Sequence, residues 1–543
     1  MAKFSQAKTS TRSRAVIKTV STTPDTVTYE GAPAYKRDNL SELFLLGVGN
    51  FVGEDTFYEK ADDRDNRFAT LARTVAVNEP EWFAKFVAWL RSEGNMRSAP
   101  LVAVAEGVKA RLSYVAANPG TELAGPTNSE LVSSVLQRAD EAGELLAYWK
   151  QHYGDETVKL PKPLKRGIDN ALAKIYSEYS ALKYDTAGKS VRFGDVVQLV
   201  HATSATEKQE QLYGWLVDRR RGKDGDKQYP LLEMVNARAE LQAVPADKRR
   251  EFLASNEQGD LLKRAGVTWE WLSSWLGGTL DASFWESVIP TMPYMATLRN
   301  LRNFDQAGIA RPAAQAVAAK LEDPAQVARS RQFPYRFLSA YKALDSVTYA
   351  PALEAALDLS TQNIPELGGR TLILVDTSGS MEGRPSERSQ MTMMEMGALF
   401  AVALAKKGEA VDLYGFADDQ FKHTIKPGAS VLREVERFTA KSGSVGYGTQ
   451  TAKAVTKTYA KHDRVVIFTD GQTFGGGNYW GTGNVTDAIP ATVPMYAFNL
   501  AGYAQAMIPS GKNRYEIGGV TDQTFKQIKL LEAGQAGTWP WED

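Results

Sequence analysis

The chain has 543 residues, 64 Lys+Arg against 64 Asp+Glu, and 43% apolar residues. Those figures describe a folded multidomain protein and exclude a disordered or fibrous one. With no cysteine, disulfide frameworks and thiolate zinc sites are excluded, and no long apolar run offers a membrane span.

Residues 1–24 carry five Lys/Arg and no acid. The segment lacks an apolar signal core, so residues 1–35 read as a disordered basic tail of a cytoplasmic protein. Residues 36–363 are dominated by helical patterns. A pattern at 67–77 meets a stop-and-restart signal at Asn78-Glu79-Pro80, then resumes at 82–90 with Phe83, Phe86, Val87 and Leu90 at 3,4 spacing. Further helices are expected at 99–116, 129–137, 141–149, 163–180, 195–200, 205–221, 231–241, 281–292, 313–321 and 334–344. So many short helices fit a HEAT-like solenoid; a compact globin-like bundle is the alternative.

A linker is expected at 364–369, and after it the pattern changes to strands alternating with helices. Strands are expected at 371–375, 411–416, 464–468 and 493–498, with an edge hairpin strand at 420–425. Helices are expected at 391–406, 451–459 and 521–531. That alternation predicts a doubly wound α/β domain over 370–543, its Trp539-Pro-Trp541 tail packing back onto a domain surface.

Leu372 to Val375 form an apolar run that ends in Asp376, followed by Ser378 and Ser380. Ligands bind outside the carboxyl ends of parallel strands, and these are hard oxygen donors suited to a divalent cation. Gly446-Tyr-Gly-Thr449-Gln-Thr offers a third hydroxyl, and Arg464-Val-Val-Ile-Phe-Thr-Asp470 is a second buried strand ending in an acid. This set resembles the metal-ion-dependent adhesion site of von Willebrand factor A domains. The resemblance implies that Asp376, Ser378, Ser380, Thr449 and Asp470 ligate Mg2+, with Mn2+ or Ca2+ as other candidates. An open position would be left for a partner's oxygen. The alternative is an empty site in which Ser378 and Ser380 cap the next helix. With no histidine or further acid in these motifs to activate water, a binding site is expected rather than an enzyme. Asp376-Thr-Ser-Gly-Ser also looks like a haloacid-dehalogenase nucleophile loop, but Ser378 stands where a second acid is wanted. Gly475-Gly-Gly stands where further acids belong. No Walker A sequence occurs.

Residues 159–250 hold 18 Lys+Arg against 12 Asp+Glu, a surplus that fits either a polyanion-binding face or a solvated helical one. Several stretches resemble the TROVE module of the Ro autoantigen family. They are Asp38-Asn-Leu-Ser-Glu-Leu-Phe-Leu-Leu-Gly, Phe57-Tyr-Glu, Ala99-Pro-Leu-Val-Ala-Val-Ala-Glu, Leu160-Pro-Lys-Pro-Leu-Lys-Arg-Gly-Ile and Arg192-Phe-Gly-Asp-Val-Val-Gln-Leu-Val-His201. With the A-domain motifs, the resemblance spans nearly all of residues 38–543. It implies a HEAT-like helical ring closed by the A domain, binding small Y-like RNA on a basic outer surface and ends of structured or misfolded noncoding RNA in its hole. The implied role is noncoding RNA quality control beside an exoribonuclease such as polynucleotide phosphorylase, tethered through RNA. The chain is expected to be a monomer, with an unknown protein ligand at the A-domain metal site.

By that resemblance Lys162, Lys165, Arg166, Lys183, Lys189, Arg192 and His201 belong to the Y RNA surface. Phe193 stands where other members have histidine, and is either a base-stacking platform or a core aromatic. Arg219-Arg-Arg221-Gly-Lys223 is either a phosphate contact or a solvated helix C-terminus. Arg299 and Arg302, beside Asn300 and Asn303, read as one helix face suited to single-stranded RNA in a ring lumen, with Arg329, Arg331 and Arg336 a weaker set. Trp269, Trp271, Trp275 and Trp285 read as core. A different class of function is a protein-binding adaptor in which both halves grip polypeptides.

Overall fold

The computed structural model describes residues 24–28, 31–49, 61–154, 159–254, 259–332, 334–344, 346–362, 364, 366–384, 389–473, 485–503, 505–509, 513–518, 528, 539 and 541. Most of the expected tail, the Phe57-Tyr-Glu stretch, the Gly475-Gly-Gly run and all of the expected last helix but Ile528 lie outside the described residues.

The helical region is a chain of short helices, each packed on near neighbours. Ala61–Asn78 packs on Ser98–Ala117, Asn128–Val135 on Lys162–Ile175, and Phe193–Val200 on Glu207–Arg220. The stop at Asn78 and restart at Pro80 fall where the sequence puts them, since a proline at the first helical position sacrifices no bonded N–H. The substantial contacts join helices no more than four positions apart in the chain, which is an extended array and not a single ball. The helix expected over 163–180 breaks in two, Lys162–Ile175 and Glu178–Tyr184. Ser177 caps the second piece, accepting from the Ser180 N–H at 3.1 Å while Ser180 Oγ accepts from the Ser177 N–H at 2.9 Å.

The strands are β1 (Thr26–Val27), β2 (Pro33–Lys36), β3 (Leu367–Asp376), β4 (Gly408–Phe416), β5 (Gln420–His423), β6 (Arg464–Thr469), β7 (Met495–Asn499), β8 (Gln505–Ala506) and β9 (Arg514–Gly518). Six of them form one sheet in the order β5-β4-β3-β6-β7-β9, parallel except for β5. From β3 the chain first builds outward through β4, then returns to add β6 on the other side. The strand order therefore reverses beside β3, and a crevice opens there at the carboxyl ends. The edge strand β5 pairs antiparallel with β4 as expected, whereas β9 and the helix Val431–Thr439 carry too short a signal to be read in advance.

Two boundaries need correction. Leu367, Gly368 and Gly369, expected in a linker, already belong to β3, where the Gly369 N–H donates to Glu409 at 2.8 Å. Residues 24–28 and 31–35, expected in a disordered tail, build β1 and β2. The latter pairs with β8, Tyr35 opposite Ala506 and Lys36 opposite Gln505. Two- and four-residue strands show no periodicity, and their partner lies more than 460 residues away.

This strap fastens the start of the helical array to the β7–β9 side of the sheet. Arg37 donates to the carbonyls of Tyr503 at 2.7 Å and Gln505 at 3.0 Å and forms a buried ion pair with Glu516. The far end of the array docks toward the opposite, β4–β5 side. There Lys342 meets Glu395 at 2.6 Å, Arg433 meets Glu354 at 3.3 Å, and Asp358 accepts from the Val431 N–H at 3.1 Å. Helical array and α/β domain thus form a closed circuit. The tail completes it as expected: Trp539 and Trp541 stack on each other and pack among Phe44, Trp82 and Phe86.

Candidate metal centre and nucleic-acid interface

All five expected metal donors converge in the crevice beside β3, and all are buried. Asp376 ends β3. Its Oδ1 accepts from the Ser378 N–H at 2.9 Å and its Oδ2 from the Thr469 hydroxyl at 2.7 Å. Ser378 Oγ lies 3.3 Å from Ser380 Oγ. Ser378 opens the 3-10 turn Gly379–Glu382 without capping it through its side chain, so its hydroxyl is not spent on that turn. The Gly379 N–H donates to the Tyr447 carbonyl at 2.9 Å, which draws the Thr449 loop over the serines. Thr473 Oγ1 donates to the Thr449 carbonyl at 2.9 Å, joining that loop to the one that carries Asp470.

Burial first, then the neighbouring Asp470, pushes the Asp376 carboxyl up to about 7. Two acids crowded among hydroxyls in a buried crevice constitute a donor set for a hard cation, which would relieve that repulsion. The fit of the residues to the expected group is therefore good. Two residues that carry no motif of their own hold the site in shape. Thr469, one place before Asp470, bonds Asp376. Asp418 accepts the N–H groups of Tyr447 and Gly448 at 3.1 and 3.2 Å. Gly446, at φ +91°, must be glycine, because a Cβ there would fall 2.0 Å from Asp418 Oδ2. Tyr447 stands 61% exposed at the rim.

The expected RNA residues divide into two groups. Lys162, Lys165 and Arg166 lie on the helix Lys162–Ile175 at spacings that share a face. None of the three forms an ion pair with a described residue. Asp169 continues that face and accepts from both the N–H and the hydroxyl of Thr203, each at 2.9 Å. It thereby ties down the loop that follows His201. His201 itself is exposed, in the left-handed conformation (φ 59°) at the end of its helix.

Lys189 and Arg192 are instead committed to internal partners. Lys189 meets buried Asp140 at 3.0 Å, and Arg192 meets buried Asp185 at 2.6 Å. Lys183 folds over the rings of Tyr179 and Tyr184. Phe193 is core, stacked on Tyr176 at 4.5 Å. Trp275 and Trp285 are buried, and Trp269 and Trp271 pack against the core partly exposed. In the 219–223 cluster, Arg220 is bound to Asp195, whereas Arg221 and Lys223 are exposed. Arg299 and Arg302 are both exposed but do not share one helix face. The helix ends at Arg299, Asn300 is buried and bonds the Ala296 carbonyl, and Asn303 donates back to Asn300 at 2.8 Å. The amides are thus spent internally.

Residues 261–411 match the TROVE domain and residues 371–472 the von Willebrand factor type A domain. The crystal structure of the Deinococcus radiodurans RO (RSR) protein superposes with a TM-score of 0.63, covering 91% of this chain and 100% of that one at 17% identity. The chain thus carries matches to both domain models and shares the fold of that protein. Among curated relatives, RNA-binding protein RO60 of Deinococcus radiodurans is 30% identical over 204 residues, 33% of this chain and 37% of that protein. Telomerase protein component 1 of Mus musculus is 32% identical over 140 residues, 25% of this chain and 5% of that protein. The chain therefore spans well under half the length of these curated relatives. No described helix is long and apolar enough to cross a membrane.

Proposed function

We propose that this Ro-type chain is an RNA-binding scaffold without chemistry of its own. It would take small Y-like RNA along the Lys162–Lys165–Arg166–His201 face and the ends of structured or misfolded RNA within the helical circuit. The observation that carries the reading is that basic face, with Lys162 and Arg166 exposed and Lys165 half-buried, none of them in an ion pair with a described residue, while Lys189 and Arg192 nearby are spent internally. Cations gathered on one helix suit phosphates, since each contact releases a counterion. A relative named RNA-binding protein RO60 supports the same reading. The test is a gel shift with structured RNA over a salt series: affinity that does not fall between low and moderate salt sinks it. The same experiment separates it from a purely polypeptide-binding adaptor, which would leave RNA unshifted.

In this reading the cognate work is noncoding RNA quality control in the cytoplasm, beside an exoribonuclease held through the RNA, with the chain a monomer. At the sheet, Asp376, Ser378, Ser380, Thr449 and Asp470 would hold Mg2+, directly or through water. A bound cation would supply a coordination position for a carboxylate or phosphate oxygen of a partner. The protein's part is to bury the donors, to orient Asp376 through Thr469 and Ser378, and to keep Tyr447 at the rim, where a protein partner would touch it.

A further inference from the structure

A cleft of about 700 Å³ opens among the helices Glu178–Tyr184, Glu207–Arg220, Glu233–Gln242 and Trp269–Leu276. That volume is in the range of small-ligand sites, roughly 300–1,000 Å³. Its walls hold Arg219, Lys227 and Arg238 against one lining carboxylate, Asp224. Lys227 is largely answered, 3.1 Å from Asp218, which also accepts the Tyr229 hydroxyl at 2.5 Å.

The two arginines are different. Arg238 lies 4.2 Å over the Trp271 ring. Its Nε and Nη2 donate to the Ala265 carbonyl at 2.9 and 2.8 Å, and Nη2 also to Gly266 at 2.7 Å. Its Nη1 donates to no described residue. Arg219 lies 5.0 Å over Trp215 and makes a long bond, 3.4 Å, to the Ala181 carbonyl, its nearest acid being Asp185 at 4.0 Å. Burial and the proximity of Arg219 push Arg238 down to about 10, as expected of like charges sharing a partly dry cleft. Two guanidinium planes are thus backed by tryptophan, Arg219 with only its 4.0 Å pair to Asp185 and Arg238 in no ion pair with a described residue. Fringed by the Gln242 amide and by that of Asn236, which also donates to the Tyr229 carbonyl at 3.2 Å, they have the parts of a nucleotide site. The cations answer a phosphate, the planes stack on a base, and the amides read its edge.

We propose that this cleft receives a single unpaired nucleotide of bound RNA, its phosphate between Arg219 and Arg238 and its base against the tryptophan-backed planes. The proposal deepens the RNA-binding reading and rests on it, but it places a discrete pocket away from the Lys165–Arg166 face. The test is equilibrium dialysis of the full chain with AMP, with inorganic phosphate as the anion-only probe. Saturable AMP uptake that exceeds phosphate uptake is expected. Arg219→Gln should weaken it about tenfold, the size of one charge-assisted hydrogen bond. Gln242→Glu, on an exposed position that leaves the fold alone, should weaken it in the same direction by repelling the phosphate. The Lys165→Ala/Arg166→Ala variant should take up AMP normally. AMP uptake no better than phosphate, or unchanged in both cleft variants, overturns the proposal. If structured RNA binds and AMP does not, the cleft assignment alone fails; if neither binds, the RNA-binding reading fails with it.

Discussion

Thr28 donates its hydroxyl to the Thr473 carbonyl at 2.8 Å, and Thr473 in turn donates to the Thr449 carbonyl at 2.9 Å. The strap at the start of the helical array is thus bonded to the loop after Asp470 and, through it, to the loop that carries Thr449. Replacing Thr28 by Val strands a buried carbonyl. The expected loss is about 1–3 kcal/mol of unfolding free energy, read by urea denaturation. Faster proteolysis ahead of residue 38 should accompany it.

Arg37 and Glu516 form the ion pair that secures the same strap, and both side chains are buried. Asn499 also donates to Glu516 at 2.9 Å. Arg37→Met leaves the carboxylate uncompensated and should cost about 3–5 kcal/mol. Arg37→Met/Glu516→Gln should recover part of that loss. A double-mutant cycle with no coupling between the two positions would refute the strap's electrostatic anchoring.

Mg2+ should raise the thermal midpoint of the wild-type chain, and chelator should reverse the rise. At a hundredfold excess over its dissociation constant, a ligand of the folded state adds about 2.7 kcal/mol. Asp376→Ala and Asp470→Ala should abolish the response while leaving RNA affinity within twofold or so, because the basic face lies on a different domain. A retained Mg2+ response in Asp376→Ala would mean that the donors are misassigned.

On the helix Lys162–Ile175, Lys165→Ala/Arg166→Ala should lower RNA affinity and reduce the salt slope by roughly two, about one for each phosphate left without its cation. The melting temperature should stay unchanged. Lys189→Ala should do the reverse, because its charge answers buried Asp140. Comparing the two variants on one RNA over a salt series checks the division of the basic residues.

Asp140 predicts an acid limit to stability. Burial opposes its ionisation, but hydrogen bonds from Arg138 and Lys189 and the charge of Arg97 outweigh it. They hold the carboxyl well below its usual value of 3.8. A depressed folded value contributes stability that is complete above the unfolded value and drains away as pH falls below it. Wild type should therefore lose stability faster than Asp140→Asn as pH drops from 5 toward 3, in urea melts taken along that range. Parallel curves would show that the cluster contributes nothing through this carboxyl.

Much of the site was legible because its signals are local. Asp376, Ser378 and Ser380 follow directly on a buried strand, and Asp470 directly on another, so their place at the sheet's carboxyl ends follows from strand polarity. Thr469 escaped notice because a threonine at a strand end carries no signal until its hydroxyl meets Asp376. The basic residues were harder still. Lys165 and Lys189 look alike in a charge count, and only their neighbours distinguish a cation outside any described ion pair from one bound to buried Asp140. Phe193 reads either way in the sequence for the same reason, and the Tyr176 ring stacked on it makes it core.

The two-part architecture, the strands that end in Asp376 and Asp470 and the cationic character of the helix that begins at Lys162 are all written in the sequence. Periodicity and chain polarity act over a few residues, so they are written locally. The three-dimensional arrangement alone shows that the first strands pair with the last domain, that the helical array closes on both sides of one sheet, and which cations are bound to buried acids. Those outcomes depend on pairing, burial and charge compensation between residues from seven to more than 460 positions apart, which no periodic pattern encodes.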